Sequence, residues 1–313
     1  MDTAVRPDAR RSPPWVRRWV RFSVAALASA LAASLLFPPV CAIFMAYPPA
    51  HLLVKTPRLP YENVAFPSLT GGVQLKGWYI PAAGGSDRTV ILAHGFLNDR
   101  LIHGRGLPLA EALEQRGFNV LLFDLRGHGQ SPAVPVTFGA REQGDVAGAV
   151  QYARERGAVH VGMLGFSIGA VSAILAASAD PGIDAVVADS AFADLHGYLE
   201  TAVLTRSHLG RSYVGARYAA YSLSWYRLLT GTDERAVRPE AVIARLGPRP
   251  VLLIHGAADR VIPVAESRKL LAAAQNPRAE LWVVPGGRHT HSYEADPAAY
   301  TAKVAGFLDE NVR

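Results

Sequence analysis

The feature that most constrains the fold is a short serine motif placed between an apolar strand and an alanine-rich helix. Residues 165–169 read Gly-Phe-Ser-Ile-Gly. The preceding residues are almost all apolar, which predicts a buried strand, and residues 168–177 predict a helix. A sharp strand-to-helix turn strains the backbone of its central serine, and glycines two residues before and after leave room for the turn. The context therefore predicts that Ser167 is displayed at a sheet edge as a nucleophile.

Strand-like and helix-like segments alternate along the rest of the chain. The apolar and alternating segments predict a hairpin over 63–81 and strands over 89–94, 118–125, 160–166, 185–188, 250–255 and 281–284. Helical spacing predicts helices over 107–116, 142–156, 168–177, 264–274 and 298–308. Strands joined through helices need crossover connections, so we expect an α/β fold with a mostly parallel sheet, helices on both faces and antiparallel strands at one edge.

One stretch, at about residues 194–246, interrupts this alternation. It is rich in tyrosine and tryptophan with arginines between them, and it is predicted to be helical. Because it follows one core strand and precedes the next, we expect a helical cap inserted over the carboxyl edge of the sheet, where open α/β sheets bind ligands. The aromatic side chains either pack inside the cap or contact a substrate. We expect the whole α/β domain to cover residues 60–312.

Two residues after the serine complete a candidate catalytic set. A serine hydroxyl needs a base to accept its proton, and the base needs a carboxylate that fixes its tautomer. Asp259 and His289 each come directly after a predicted strand and stand in the order acid, then histidine, that follows the serine in this type of fold. His291 is an alternative base, and Asp189 is an alternative acid.

The oxyanion of an acyl-transfer reaction needs two backbone donors aimed at one point. We expect one from the N–H of Ile168, which follows the serine, and the other from Phe96, in the loop after the strand that ends at His94. His94 itself is predicted to form structural hydrogen bonds. The polar turn over residues 124–131 is predicted to tie neighbouring loops together through its charged side chains.

An uncharged segment near the N-terminus predicts a membrane anchor. No charged residue occurs from Phe22 to Ala50, which is longer than the ~20 apolar residues that cross a bilayer. We expect a transmembrane helix over 22–47, preceded by a basic cytoplasmic tail over 1–21. The Pro38-Pro39 pair predicts a kink or an end of the helix near Phe37.

A cleavable signal peptide is the competing interpretation of this segment, because small residues near Ala30 and Ala32 offer cleavage sites. Hydrophobicity continues past them to Ala46, which favours the anchor. A buried globular helix is a third interpretation. With either an anchor or a signal peptide, the arginine cluster stays cytoplasmic and the remaining chain crosses the membrane, or is secreted after cleavage.

Composition argues against several other classes of function. The net charge is +6, but six arginines and two aspartates within residues 1–50 account for +4 of it, so nucleic acid binding has little support. Cys41 is the only cysteine, which excludes an intramolecular disulfide and a cysteine-rich metal site. The 313 residues are enough for one large core.

At these residues the chain resembles the α/β-hydrolase superfamily and, within it, the membrane-anchored Bem46-like serine hydrolases. Five motifs carry the resemblance in chain order: His94-Gly95-Phe96, 124–129, 165–169, Gly256 to Asp259, and Gly287 to His289. The resemblance implies the α/β-hydrolase fold, acyl transfer to water and no required cofactor. Serine at position 167 is unlike the dehalogenase and epoxide-hydrolase branches, which place an aspartate there.

The expected function is hydrolysis of a carboxylic ester or related acyl compound through an acyl-Ser167 intermediate. The membrane-proximal position and the aromatic cap are compatible with a lipid-like, amphiphilic ester, and the substrate is expected to be a small-molecule or lipid-like acyl compound. A peptidase or thioesterase with the same three residues remains an alternative, because this fold hosts several acyl-transfer chemistries. An inactive binding protein on a hydrolase fold is a further alternative.

Overall fold

The computed structural model describes residues 13–49, 55–207 and 212–313. Its strands are β1 Glu62–Pro67, β2 Gln74–Ile80, β3 Arg88–Ala93, β4 Asn119–Asp124, β5 His160–Phe166, β6 Ala185–Asp189, β7 Val251–Gly256 and β8 Ala279–Val284. Its α-helices are α1 Pro14–Ala46, α2 Gly106–Glu114, α3 Glu142–Glu155, α4 Ile168–Ala179, α5 Leu195–Ser207, α6 Tyr213–Thr230, α7 Pro239–Val242, α8 Val264–Ala274, α9 Ser292–Ala295 and α10 Pro297–Asn311. Short 3₁₀ helices cover Ile102–Gly104, Glu234–Ala236 and Ile243–Leu246.

The eight strands form one sheet in the order β1-β2-β4-β3-β5-β6-β7-β8. Strand β2 pairs antiparallel with both β1 and β4, and every other pairing is parallel. The expected mostly parallel sheet with a hairpin at one edge is therefore confirmed. The chain moves from β3 outward to β4 and then returns past β3 to β5, so the strand order reverses between β3 and β5. In open α/β sheets a ligand crevice forms at such a reversal.

The two faces of the sheet carry separate cores because successive strand residues point to opposite sides. In β3, Val90 and Leu92 belong to the core cluster covered by α2 and α10, whereas Ile91 and Ala93 belong to the cluster covered by α3, α4 and α8. Strands buried on both faces need continuous apolar runs. This requirement explains why the strand predictions from apolar runs agree with the structure.

Buried ion pairs connect the loops at the carboxyl edge of the sheet. Arg100 donates to Asp124 (Nε to Oδ2 3.1 Å), and Arg126 donates to Asp145 (Nη2 to Oδ1 2.6 Å). All four side chains are almost completely buried. The charges of the 124–131 turn thus tie this turn to the loop before α2 and to α3, as expected from the sequence.

Helix α1 is long and apolar enough to cross a membrane, with a mean hydropathy of 2.0 over its most apolar window. The proline pair predicts a kink or an end near Phe37, and of these two the end is not observed, because the helix continues to Ala46. Its last turns pack on the α/β domain: Ala42 and Ala46 are buried, and the carbonyl of Ala46 accepts a hydrogen bond from the N–H of Val136 (2.8 Å).

The contact between α1 and α6 explains why the helix continues through the prolines. Proline has no N–H, so Pro38-Pro39 leaves the carbonyls of the residues four positions earlier without their helical donors. Tyr218 of α6 donates its hydroxyl to the carbonyl of Ser34 (3.2 Å), and Tyr221 donates to that of Leu35 (2.9 Å). Two cap tyrosines therefore replace the two missing backbone hydrogen bonds.

Candidate active site

Ser167 lies in the turn between β5 and α4 with φ +50° and ψ −114°, a backbone conformation that non-glycine residues rarely adopt. The two flanking glycines are required by close approach. A Cβ on Gly169 would lie 2.2 Å from the carbonyl oxygen of Ala93, and one on Gly165 would lie 2.5 Å from that of Gly169. The N–H of Ser167 donates to the backbone carbonyl of Asp189 (2.8 Å), which fixes the turn to β6.

The structure brings Ser167, His289 and Asp259 together in a hydrogen-bonded chain. Nε2 of His289 is 3.1 Å from Oγ of Ser167, and Nδ1 of His289 is 2.8 Å from Oδ2 of Asp259. With Nδ1 protonated and donating to Asp259, Nε2 is an acceptor directed at the serine hydroxyl. This geometry suits removal of the hydroxyl proton when Ser167 attacks.

The carboxylate of Asp259 is fully buried and has several donors. Its Oδ1 accepts from the backbone N–H groups of Val261 (2.8 Å) and Ile262 (2.9 Å). Burial alone would raise the pKa of Asp259, but hydrogen bonds from His255 and His289 outweigh it and hold the pKa well below its usual range. Asp259 is thus ionised at neutral pH and available to orient His289.

His255 is a contact that the sequence reasoning missed. It is buried at the end of β7, and its Nε2 lies 2.8 Å from the carbonyl of Ile262 and 3.3 Å from Oδ2 of Asp259. Burial disfavours its charged form, yet the hydrogen bond to Asp259 and the one to Ile262 raise its pKa. Its position at the end of β7, four residues before Asp259, is the sequence signal that could have identified it.

The two alternative residues have other hydrogen-bond partners, although His291 lines the same cavity as Ser167. His291 directs Nδ1 to the carbonyl of His289 (2.6 Å), and its ring contacts that of His103. The buried carboxyl group of Asp189 accepts from the hydroxyls of Ser190 (2.8 Å) and Tyr300 (2.9 Å). Neither side chain makes the hydrogen bonds that link His289 to the serine and to Asp259.

Ser190 was also missed, and it holds the loop that carries His289. Its hydroxyl donates to Asp189 and accepts from the N–H of Thr290 (3.0 Å), and the carbonyl of Thr290 accepts from Arg105. Both backbone groups of the residue after His289 are therefore bound from other elements. No local pattern indicates these contacts, because the partners are 100 and 185 residues apart in the chain.

The two expected oxyanion donors, the backbone N–H groups of Ile168 and Phe96, lie in segments next to Ser167 in the folded protein. Ile168 begins α4, where backbone N–H groups have no acceptor within the helix. Phe96 lies two residues beyond His94, and a Cβ on Gly95 would be only 3.4 Å from Cβ of Ser167. Within the described residues, the N–H groups of Phe96 and Ile168 donate no hydrogen bond to another residue. Both are thus available to a substrate oxygen.

The side chain of His94 holds the loop that contains Phe96 through hydrogen bonds. Its Nδ1 donates to the carbonyl of Gly95 (2.7 Å), and its Nε2 accepts from the N–H of Leu125 (3.0 Å). The bond accepted by Nε2 needs the neutral ring, because both ring nitrogens carry a proton in the charged form. Burial, with a smaller effect of nearby His128, lowers the pKa of His94 to about 4. His94 is structural, as expected, and it joins the loops after β3 and β4.

This shift predicts a loss of stability in mild acid. The unfolded chain binds a proton at His94 below pH ~6.5, whereas the folded protein does so only near pH 4, so the free energy of unfolding falls as pH decreases between these values. For this residue we expect a loss of about 2–3 kcal/mol between pH 7 and 4.5, measured by urea denaturation in detergent. His94→Gln, less stable at neutral pH, should lose correspondingly less over this interval. Equal losses in both proteins would contradict the assignment.

A cavity of about 690 Å³ opens above Ser167 and His289. Its wall includes Phe96 and Tyr198, and the exposed arginines at 260 and 288 lie at its rim. The size is in the range of ~300–1,000 Å³ that is common for small-molecule sites. An acyl compound of moderate size can therefore approach the serine.

The chain matches known proteins over most of its length. Residues 90–303 match the sequence model of the alpha/beta hydrolase family. The uncharacterized protein YfhR of Escherichia coli K12 is 31% identical over 268 residues, which cover 82% of this chain and 83% of YfhR. The uncharacterized protein YqkD of Bacillus subtilis is 31% identical over 243 residues, or 76% of each chain.

A solved structure supports the same relationship. The Pyrococcus furiosus esterase Pf2001 superposes with a TM-score of 0.70 at 27% sequence identity, covering 86% of this chain and 99% of the esterase. The family match extends over more than half of the chain and agrees with the sheet order and the serine turn described above. The chain belongs to the alpha/beta hydrolase family.

Proposed function

We propose that this alpha/beta hydrolase is a serine esterase that cleaves a carboxylic ester, or a related acyl compound, through an acyl-Ser167 intermediate. The observation that carries the proposal is the hydrogen-bonded chain from Ser167 through His289 to the ionised Asp259. The similarity to an esterase of known structure supports an ester as the substrate. No cofactor is needed for this chemistry.

In the first step, Oγ of Ser167 attacks the acyl carbon while Nε2 of His289 accepts the hydroxyl proton. The charge on the resulting imidazolium is stabilised by Asp259, which does not itself become protonated. When the tetrahedral intermediate collapses, the carbon–oxygen bond to the alcohol breaks, and His289 donates its proton to the leaving alkoxide. In the second step, His289 deprotonates a water molecule that attacks the acyl carbon. The bond between this carbon and Oγ of Ser167 then breaks, His289 returns its proton to Oγ, and the carboxylic acid is released.

The backbone N–H groups of Phe96 and Ile168 act as the oxyanion hole. The negative charge on the carbonyl oxygen develops next to the N-terminus of α4, where the helix dipole is favourable to an anion. The strained backbone of Ser167 holds the hydroxyl above this point. Donors that are already oriented need no reorganisation as the charge forms, which lowers the barrier.

We also propose that α1 anchors the enzyme in a membrane, as in the Bem46-like hydrolases that its motifs resemble. Arg17, Arg18 and Arg21 lie at the N-terminal end of α1, and the apolar run follows them. Positively charged flanks stay on the cytoplasmic side, so the catalytic domain lies on the opposite side of the membrane. The packing of α1 on the α/β domain favours an anchor over a cleaved signal sequence.

Labelling with a fluorophosphonate probe tests the proposed nucleophile. We expect the full-length protein in detergent to be modified at Ser167, because a serine activated by a base attacks the phosphorus of the probe, displaces fluoride and becomes phosphonylated. The matched control is Ser172→Ala in α4, the helix that follows Ser167. It removes a buried hydroxyl group that donates to the carbonyl of Ile168. This variant should still be labelled at Ser167.

A substrate panel then tests the type of bond cleaved. Acetyl compounds of p-nitrophenol, thiophenol and p-nitroaniline offer an ester, a thioester and an amide with the same acyl group. We expect kcat/KM to be highest for the ester. Preference for the thioester or amide would replace the esterase proposal by a thioesterase or peptidase, and absence of both labelling and turnover in folded protein would indicate a binding protein.

A further inference from the structure

A second cavity, of about 620 Å³, adjoins the Ser167 cavity and is walled on one side by α1. The remaining wall comes from the cap helices α5 and α6 and from the loop of Phe96. No charged side chain is among the described residues that line it. We infer that this cavity, called here the acyl cavity, binds the acyl chain of a long-chain lipid ester that enters from the membrane; the inference rests on the proposed esterase function.

The two cavities share part of their walls. Five residues line both: Phe96, Leu97, Phe138, Tyr198 and Val261. The backbone N–H of the first of these is a proposed oxyanion donor, so an ester carbonyl at the oxyanion hole lies at the boundary between the cavities. A chain that continues from that carbonyl into the acyl cavity passes from the apolar interior of the membrane into a cavity lined mostly by apolar side chains, so it is not exposed to water.

Helix α1 contributes directly to this boundary. The ring of Phe44 packs edge-on against that of Phe96, with centroids 6.3 Å apart, and Phe96 in turn packs on Phe138 at 5.0 Å. The anchor helix is therefore part of the substrate-binding wall and not only an attachment to the membrane. Its position is held by the hydrogen bonds from Tyr218 and Tyr221 described above.

The acyl cavity is open along the side of α1. Phe37, Val40 and Phe44 line it, yet 57%, 62% and 47% of their surfaces remain exposed. Exposed apolar side chains of this size on a candidate membrane helix are expected to contact lipid. The opening of the cavity thus faces the region where the acyl chains of the membrane would lie.

The position of the cavity along α1 agrees with entry of a lipid. A bilayer core of ~30 Å takes about 20 helical residues, so a span that begins at Phe22 reaches the far boundary near Cys41. The α1 residues that line the acyl cavity lie between 37 and 45, on both sides of that boundary. Lipid esters lie at this depth, with the acyl chain toward the bilayer and the ester toward the aqueous side.

The experiment compares chain-length preference in full-length protein reconstituted in phosphatidylcholine nanodiscs. We measure kcat/KM for p-nitrophenyl acetate, octanoate and palmitate, and release of oleate from 1-monooleoylglycerol placed in the same nanodiscs. We expect wild type to prefer the long-chain esters over acetate and to hydrolyse monooleoylglycerol. Hydrolysis of acetate with no turnover of the long-chain esters would overturn the acyl cavity and leave the esterase proposal intact. Absence of turnover of every ester, and of fluorophosphonate labelling, would instead refute the proposed function.

A bulky substitution inside the cavity tests its location. Ala202 of α5 lines the acyl cavity, and the neighbouring Thr201 is exposed and outside it. Ala202→Trp should lower the ratio of palmitate to acetate kcat/KM by about tenfold or more, because a single pocket contact commonly changes selectivity by this amount. The matched control Thr201→Trp adds the same side chain to the outer surface and should keep the wild-type ratio. An unchanged ratio in folded Ala202→Trp would overturn the proposal.

The single cysteine provides a measurement that does not depend on folding of a variant. Cys41 lines the acyl cavity and is partly exposed. Benzyl methanethiosulfonate should add a benzylthio group to it in folded wild type and lower the palmitate-to-acetate ratio, and dithiothreitol should restore the ratio. Cys41→Ala protein should show no effect of the reagent. If full modification of Cys41 leaves the ratio unchanged, the chain does not occupy this cavity.

Discussion

Replacing Ser167 by alanine is expected to lower kcat for p-nitrophenyl esters by about 10⁵–10⁶-fold, with little change in the free energy of unfolding. The substitution removes only the hydroxyl group. Its oxygen is the proposed nucleophile and lies 3.1 Å from Nε2 of His289. The positive φ of residue 167 disfavours alanine as much as serine, so the backbone strain is the same in both proteins. Steady-state kinetics on purified full-length protein measure the loss.

The same loss is expected for His289→Ala, and the double variant should be no slower than either single variant. The two groups act as one unit, because a serine without a base and a base without a serine both leave only the oxyanion hole and binding contacts. Multiplying losses in the double variant would show that the two residues act independently. Retention of more than about a hundredth of the activity by folded Ser167→Ala would contradict the proposed nucleophile.

Replacing Asp259 by asparagine is expected to lower kcat by about 10⁴-fold. The amide NH₂ of asparagine donates to Nδ1 of His289 and thereby stabilises the tautomer with the proton on Nε2. That proton then faces Ser167, and the ring cannot accept a second one without becoming charged next to a neutral partner. The loss comes from the wrong tautomer, so it should appear in kcat more than in KM.

Asp189→Asn is the matched control for this change. It makes the same substitution in a carboxyl group at the end of a strand at the same sheet edge. This carboxyl group binds Ser190 and Tyr300 and not His289. We expect its loss of kcat to be at least about a hundredfold smaller than that of Asp259→Asn. The reverse order would assign the acid to Asp189. Thermal unfolding of both variants separates loss of activity from loss of structure.

The strands and the serine turn were predictable because they depend on neighbours in sequence. Residues 161–166 carry no polar side chain, as expected for the part of β5 that is buried on both faces. Glycines are required at 165 and 169 because the turn brings them against Ala170 and Ala93. Asp259 and His289 were found because each follows a strand, and parallel strands end at one edge. These are local patterns with a direct structural meaning.

The continuation of α1 through its two prolines could not be decided from the sequence, which predicts either a kink or an end near Phe37. Two adjacent prolines remove two helical hydrogen bonds, and nothing near them in sequence supplies replacements. The replacements come from Tyr218 and Tyr221, 184 and 186 residues away from their acceptors. The aromatic residues of the cap were visible in the sequence, but no pattern connects them to a proline pair in another helix.

The sequence by itself determined the α/β class, the order of strands and helices along the chain, and three residues that suit acyl transfer. The tertiary structure decided which groups surround them: His255 beside Asp259, Ser190 beneath the His289 loop, and α1 against Phe96. The physical reason is the range of the interactions. Hydrophobic periodicity and turn strain act over a few residues, whereas packing of α1 on the cap and the binding of loops by buried polar groups join parts of the chain that only the folded state brings into contact.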